Sequence, residues 1–348
     1  MNEAQKILED SVSRLFADSV DRELLTRMEH DPWEAGLWEA CVELGLPLVM
    51  VSEARDGMGG GWVEGFIVAR ACGQHAVPLP VVEQMLAGYL ADRAGLAVPD
   101  GVAGLLPSVI PGAAITGSSV SMIQRRVPWG RRADWFVGLT AEGELLVLGK
   151  EGSSCQAETN LAREPRDQIT LQASPILARG PAGVPADAIR WLGALLRSAQ
   201  IAGSAAACLE MSVKYTSDRE QFGRKLSQFQ AIQHHLAEIA GQMASVDTIA
   251  MAACVALEQR GLGAAGRDAR FELAAAKCRA SEAVEPLTRL SHQVHGAIGF
   301  TYEYDLQFLT RRLWSWRAEF GAHGEWGEYL GSIAQREGGD GIWAYMTA

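Results

Sequence analysis

Apolar residues recur along this chain with two different periods. Leu8, Val12, Leu15 and Phe16 fall at helical spacing, as do Trp33, Leu37, Cys41 and Leu44, and each set predicts a helix with one buried face. Gly57, Gly59, Gly60 and Gly61 form a glycine-rich connection to a further helical pattern from Val63 to Cys72. Pro78 and Pro80 punctuate the passage into a helix from Val82 to Ala94. From about residue 104 the pattern shortens to β-rich runs, Ala114 to Met122, Trp135 to Leu139, Leu145 to Leu148 and Ile169 to Gln172, with turns such as Ala141-Glu142-Gly143-Glu144 between them. Beyond Gly180, Pro181, Gly183 and Pro185 the helical period returns in longer units. These are an alanine-rich helix from Ala186 to Tyr215, a helix carried by Phe229, Ile232, Leu236, Ile239, Met243, Val246 and Ile249, one from Phe271 to Val294, and one on Leu306, Leu309, Leu313, Trp316 and Phe320. Ser227 is placed to cap the second of these, and Gly261 and Gly263 to end it.

The order predicts a mainly α protein with a small β-domain: an N-terminal helical domain (1–103), a middle antiparallel β-domain (104–185) and a C-terminal bundle of about four long helices (186–348). At 348 residues and 48% hydrophobic composition the chain is long enough for two or three small cores. A net charge of −11 argues against a nucleic-acid or anionic-membrane partner, although an anionic ligand needs only a few well-placed arginines. Six scattered cysteines with no CxxC pair predict neither a disulfide framework nor a metal site. The polar N-terminus shows no secretory signal, and no run approaches the roughly 18 uninterrupted apolar residues of a membrane span. The expectation is a cytoplasmic protein.

Candidate chemistry concentrates between two of the long helices, in Tyr215 to Glu238. Arg219 and Arg224 can grip phosphate oxygens bidentately, Phe222 offers a flat face to a heterocycle, and Gly223 lets a backbone approach closely. The other reading of the same run is a solvated turn anchored by a buried Phe222. A second stretch, His292 to Tyr304, carries Gly296 and Gly299, which permit a phosphate cradle or a plain helix–helix turn.

The run Arg219-Glu220-Gln221-Phe222-Gly223-Arg224, followed by Phe229-Gln230-Ala231-Ile232, resembles the RxQFG…FQAI motif of acyl-CoA dehydrogenases. Gln293, His295 and Gly296 fall on that family's QxxGGxGFxxE loop, with Ala297 replacing a usual glycine. The N-terminal stretch from Trp38 to Gly61 resembles its W…ELG…PE…GG.G segment, with Ser52-Glu53 for Pro-Glu. The resemblance implies FAD as cofactor, an acyl-CoA substrate, and an oligomer in which Arg219, Gln221 and Phe222 contact the FAD of a neighbouring subunit. It implies cofactor contacts for Gln230, Gln293, His295 and Gly296 as well. In the β-domain only Val127-Pro128-Trp129-Gly130 to Asp134-Trp135 loosely matches the family's W-I-T-N strand, and its T/S-E-P loop has no counterpart.

The family reaction removes the α-proton of an acyl-CoA thioester with a carboxylate while the β-hydrogen leaves as hydride to the flavin. The usual position of that carboxylate falls on Phe320, with Glu319 beside it, and the family's other location falls on about Gly193, within an acid-free run from Ala188 to Leu209. Three readings stay open. Glu319 is the catalytic base of a homo-oligomer. Alternatively, the chain is one subunit of a hetero-oligomer whose related partner carries the base, as in family members acting on bulky sterol or bile-acid acyl groups. Finally, it is a binding or structural subunit without catalysis. The pair His234-His235 and the tryptophans Trp314, Trp316 and Trp326 read as packing, and Glu325 as a solvated charge.

Overall fold

The computed structural model describes residues 1–263 and 266–347. Five helices come first: α1 (Glu3–Ser19), α2 (Arg22–Met28), α3 (Ala35–Glu43), α4 (Trp62–Gln74) and α5 (Val81–Arg93). The helix α1 starts with a reciprocal cap, the Asn2 side chain accepting from Gln5 N at 2.8 Å and Gln5 Oε1 accepting from Asn2 N at 2.9 Å. It buries Leu8, Val12 and Phe16, three of the four residues whose spacing announces it.

The middle region holds β1 (Ala103–Leu105), β2 (Ile115–Thr116), β3 (Ser119–Pro128), β4 (Trp135–Leu139), β5 (Glu144–Gly149), β6 (Ser153–Gln156) and β7 (Arg166–Pro181). Their order is β1-β4-β5-β7-β3-β2, with β6 also on β7. The pairs are antiparallel except β1 with β4, which is parallel. The 16-residue β7 changes partners along its length, pairing β6 up to Leu171, β3 up to Pro175 and β5 from Ile176 onward. Alternation assigns the two faces of β4 and β5 to different cores. Trp135, Val137, Leu145 and Val147 join the main core shared with the helices, whereas Phe136, Leu146 and Leu148 pack with Ile169 and Leu171 inside the β-domain.

The C-terminal part contains α6 (Ala188–Asp218), α7 (Gln230–Arg260), α8 (Arg270–His295), α9 (Leu306–Trp316) and α10 (His323–Thr347), with a kink at Gly338. A small hairpin, β8 (Glu220–Gln221) and β9 (Arg224–Lys225), connects α6 to α7. The helices α4 and α6 cross almost backbone to backbone: a Cβ on Gly203 would stand 1.8 Å from Arg70 O, and one on Gly73 2.0 Å from Gln200 O. That crossing locks the N-terminal helices onto the bundle. By length and composition α6 and α7 could each cross a membrane, but the apolar window of α6 is 89% buried inside the protein and that of α7 33%.

Two sequence expectations change. Ser227 does not cap α7; it sits in a 3₁₀ turn, Leu226–Gln228, and the N-cap is Phe229 without a side-chain hydrogen bond. The fourth predicted bundle helix stops at Trp316 rather than running to Phe320. Lys277 Nζ, from α8, donates to Trp316 O at 2.6 Å and Arg317 O at 3.2 Å, and Ser281 Oγ donates to Arg317 O at 3.0 Å. These donors take the terminal carbonyls that another helical turn would use.

Candidate functional site

The early end of α9 decides the surroundings of Glu319 and Phe320, which lie in the turn between α9 and α10. Glu319 is 17% exposed and carries its carboxylate between two arginines. Arg166 donates through Nε to Oε1 at 2.7 Å and through Nη2 to Oε2 at 3.2 Å, and Arg197 Nε donates to Oε2 at 2.7 Å. Asn160 Nδ2 adds a donor at 3.2 Å. Burial pushes the Glu319 carboxyl up, but the charges of Arg166 and Arg197 outweigh it and hold the pKa down at about 2.

The pairing continues in both directions. Arg197 also binds Glu83, and Arg166 binds Glu164 at 3.0 Å, which in turn pairs with Arg312 at 3.1 Å. Three arginines and three glutamates thus alternate in one buried line, Glu83–Arg197–Glu319–Arg166–Glu164–Arg312. Its members come from α5, α6, the α9–α10 turn, β7, the loop before β7, and α9. The neighbouring Lys277 ammonium is deep in the interior, and burial pushes its pKa down to about 7.

Phe320 follows with φ +57°, a left-handed backbone that a bulky residue rarely adopts. Its ring lies against Gly193 of α6, where a Cβ would meet three ring carbons at 2.6 to 2.7 Å. The two positions at which the resemblance locates a base therefore touch each other, one bare and one aromatic. The space left beside them, bounded by Val82, Leu86, Leu105 and Leu196, is about 10 Å³, the room of one water at most. On the outer side of Glu319 and Phe320 a cleft of about 700 Å³ opens between the bundle and the sheet, with Ser108, Arg125, Arg126, Glu158 and Arg190 on its walls. Glu325, also on this wall, is ion-paired to Arg190 at 2.9 Å and accepts from Ala322 N at the start of α10.

The other predicted residues gather at the far end of α6. Gly193 and Tyr215 are 22 residues apart on this helix, roughly 33 Å at 1.5 Å per residue. There the hairpin turns at Phe222 (φ +55°) and Gly223 (φ +78°), a tight primed-type turn. Phe222 is 91% exposed, which overturns its reading as a buried anchor. Arg219 and Gln221 are exposed and make no side-chain hydrogen bond or ion pair within the described residues. Gln230, the first residue of α7, is exposed too, as are Gln293 and Gly296 at the end of α8. His295 differs. Its ring is 3% exposed, hydrogen-bonded through Nδ1 to Ser291 O at 2.7 Å and stacked on Tyr215 at 4.7 Å between centroids. It joins α8 to the end of α6 from inside, and its ring is not presented to a ligand.

An exposed hairpin with two unengaged hydrogen-bonding side chains and a bare aromatic ring fits the phosphates and heterocycle of a flavin dinucleotide. Among the described residues no group of three or more His, Cys, Asp and Glu is placed to hold a metal ion.

Sequence reasoning named Glu319 as a candidate base but did not name the residues that surround it, Arg166, Arg197 and Lys277. A usable signal existed for Arg197, an arginine on the acid-free stretch of α6, with no carboxylate one turn away to pair it.

The family model described as "Acyl-CoA dehydrogenase, N-terminal domain" matches residues 2–96, and "Acyl-CoA dehydrogenase, C-terminal domain" matches residues 192–323. The chain is 26% identical to acyl-CoA dehydrogenase IpdE2 of Mycolicibacterium smegmatis over 320 residues, 90% of this chain and 93% of that protein. Among solved structures it is similar to a variant of the Tcur3481-Tcur3483 steroid ACAD, with a TM-score of 0.83, 21% identity, and 96% and 98% of the two chains covered. It is similar as well to the ChsE4-ChsE5 complex from Mycobacterium tuberculosis, with a TM-score of 0.81, 19% identity, and 95% and 97% covered. With family matches on both sides of the sheet and the same fold throughout, the chain belongs to the acyl-CoA dehydrogenase family and is an oxidoreductase of that class.

Proposed function

We propose that this chain is a subunit of a flavin-dependent acyl-CoA dehydrogenase in which a related partner subunit supplies the catalytic carboxylate. The observation that carries this reading is the state of Glu319. A carboxylate held by two arginines with a pKa near 2 is a weak proton acceptor, since an effective base needs a pKa near the working pH. Turning toward a ligand would also cost it the paired hydrogen bonds from Arg166 and Arg197. Phe320 and Gly193, the other two positions at issue, offer no ionisable group.

FAD, when bound, would supply the hydride acceptor for the β-hydrogen. What this chain contributes is grip. The Arg219 guanidinium would pair with phosphate oxygens in a bidentate fork, the Gln221 amide would donate and accept beside it, and the ring of Phe222 would cover an adenine face. Gln293 and the backbone at Gly296 stand at the same end of the bundle. The apolar stretch of α7, only a third of it buried within this chain, supports burial against another chain. The steroid enzyme and the two-protein complex among the similar structures support a heteromer and a bulky, steroid-like acyl group.

The test is the visible spectrum of the purified chain, alone and co-purified with a related subunit, before and after anaerobic addition of acyl-CoAs. The expected result is flavin that bleaches only in the mixed assembly. Bleaching by a homo-oligomer of this chain would overturn the proposal and return Glu319 as the base.

A second reading, a structural subunit without flavin, is favoured by the small size, about 10 Å³, of the space beside Phe320. It predicts a protein that stays colourless with added FAD in every assembly.

A further inference from the structure

In a regular strand, residues three apart face opposite sides. In β3 they do not: Gln124 and Val127 are both fully buried. The register explains it, because Gln124 pairs with Ile169 and Val127 with Asp167, so Arg125 and Arg126 together stand opposite Gln168 alone. This is a β-bulge, and its second residue, Arg126, has φ +56°. Its effect is to put two consecutive arginines on the same side of the sheet, both lining the 700 Å³ cleft. A strained, left-handed arginine held at a bulge is the kind of feature found where a side chain is aimed at a ligand.

The bulge is braced from inside. Gln124 accepts from Ser108 N at 3.1 Å and donates to Ser108 O at 2.8 Å, fixing the adjoining wall. The charges of the cleft then count unevenly. Glu319 is engaged by Arg166 and Arg197, and Glu325 by Arg190. Arg125 and Arg126 are exposed, and neither makes an ion pair or side-chain hydrogen bond among the described residues. Against them stands one lining carboxylate without an ion pair, Glu158. Two guanidinium forks facing one open volume suit a carboxylate or a phosphate, which they can bind bidentately.

We propose that Arg125 and Arg126 form an anion clamp in this cleft that receives a carboxylate or phosphate group of the bound acyl-CoA. The ligand class rests on the dehydrogenase reading; the clamp itself rests on the bulge and the uneven charge. Three probes separate the sources of the anion. Adipoyl-CoA carries a terminal carboxylate and the CoA phosphates, hexanoyl-CoA the phosphates alone, and hexanoyl-pantetheine neither.

Binding to the full chain, in the assembly in which it purifies, is measured by calorimetry without turnover. The comparison is with Arg125→Gln/Arg126→Gln and with Arg14→Gln, an exposed arginine of α1 outside the cleft. The unaltered chain should bind adipoyl-CoA roughly tenfold or more tighter than hexanoyl-CoA if the clamp takes an acyl carboxylate. If it takes phosphate, hexanoyl-CoA should bind tighter than hexanoyl-pantetheine by a similar factor. In either case the double variant loses the advantage and Arg14→Gln keeps it. Three results overturn the clamp: no preference for the anionic probes in the unaltered chain, a preference that survives in the double variant, or an equal loss in Arg14→Gln. Failure of the dehydrogenase reading would show elsewhere, in a flavin spectrum that no acyl-CoA bleaches.

Discussion

The ring of Phe320 lies where a side chain on Gly193 would have to go, with a Cβ at that glycine 2.6 Å from the nearest ring carbon. The two residues exclude each other's alternatives. An acid at 193 cannot enter while Phe320 is present, and the ring packs there only because 193 is bare.

Gly193→Ala should therefore destabilise the chain by about 2 kcal/mol through overpacking, and adding Phe320→Ala should recover part of the loss. Denaturant unfolding of the two single variants and the double variant measures the coupling. Strictly additive effects would mean that ring and helix do not meet.

Glu319→Gln leaves Arg166 and Arg197 short of their shared carboxylate and should cost about 3 kcal/mol near neutral pH. The pH dependence fixes the sign. Because the folded carboxyl sits at about 2 against an ordinary 4.5, its contribution is present above the ordinary value and lost as pH falls from about 4.5 to about 2. The stability gap between the unaltered chain and Glu319→Gln should narrow through that window. A gap that stays constant down to pH 2 would remove the ion pairs from the explanation.

Lys277 gives a slope of the same sign from a different cause, burial rather than ion pairing. Its folded pKa is depressed to about 7 from 10.5, so the unfolded chain takes up a proton that the folded one refuses as pH falls from about 10.5 to about 7. Stability relative to Lys277→Met should thus rise in favour of the lysine between pH 7 and pH 10, where the neutral amine still donates to Trp316 O and Arg317 O. Thermal melts across that range read the trend, and a flat difference would contradict it.

Phe222→Ala and Arg219→Gln touch exposed side chains, so the isolated chain should keep its melting transition within about 0.5 kcal/mol. Flavin retained by the assembly, read as visible absorbance per protein, should fall. If flavin content is unchanged in both variants, the hairpin does not serve a cofactor.

Helices such as α1 were legible because their burial follows local periodicity, and the strand Trp135–Leu139 because it is a short, wholly buried apolar run. The end of α9 was not. Leu313, Trp316 and Phe320 keep helical spacing, yet the helix stops at Trp316 because its carbonyls are taken by Lys277, 39 residues earlier in sequence. The hairpin motif was likewise readable, since Arg219, Gln221 and Phe222 are neighbours in sequence. The partners of Glu319 were not, because Arg166 and Arg197 lie 153 and 122 residues away. The bulge at Arg125 and Arg126 also left no local signal; it exists only in the register between β3 and β7.

The alternating line from Glu83 to Arg312 has a consequence for motion. Its links cross from helix to turn to sheet and back, and a separation at any link takes an ion pair from poorly solvated charges, at either end leaving Glu83 or Arg312 without its ion-pair partner. The sheet cannot swing away from the bundle like a door, and the small space behind Phe320 cannot be enlarged by spreading the walls. Any widening there has to come from the phenylalanine ring turning out into the cleft, a rotation of one side chain within an otherwise rigid frame.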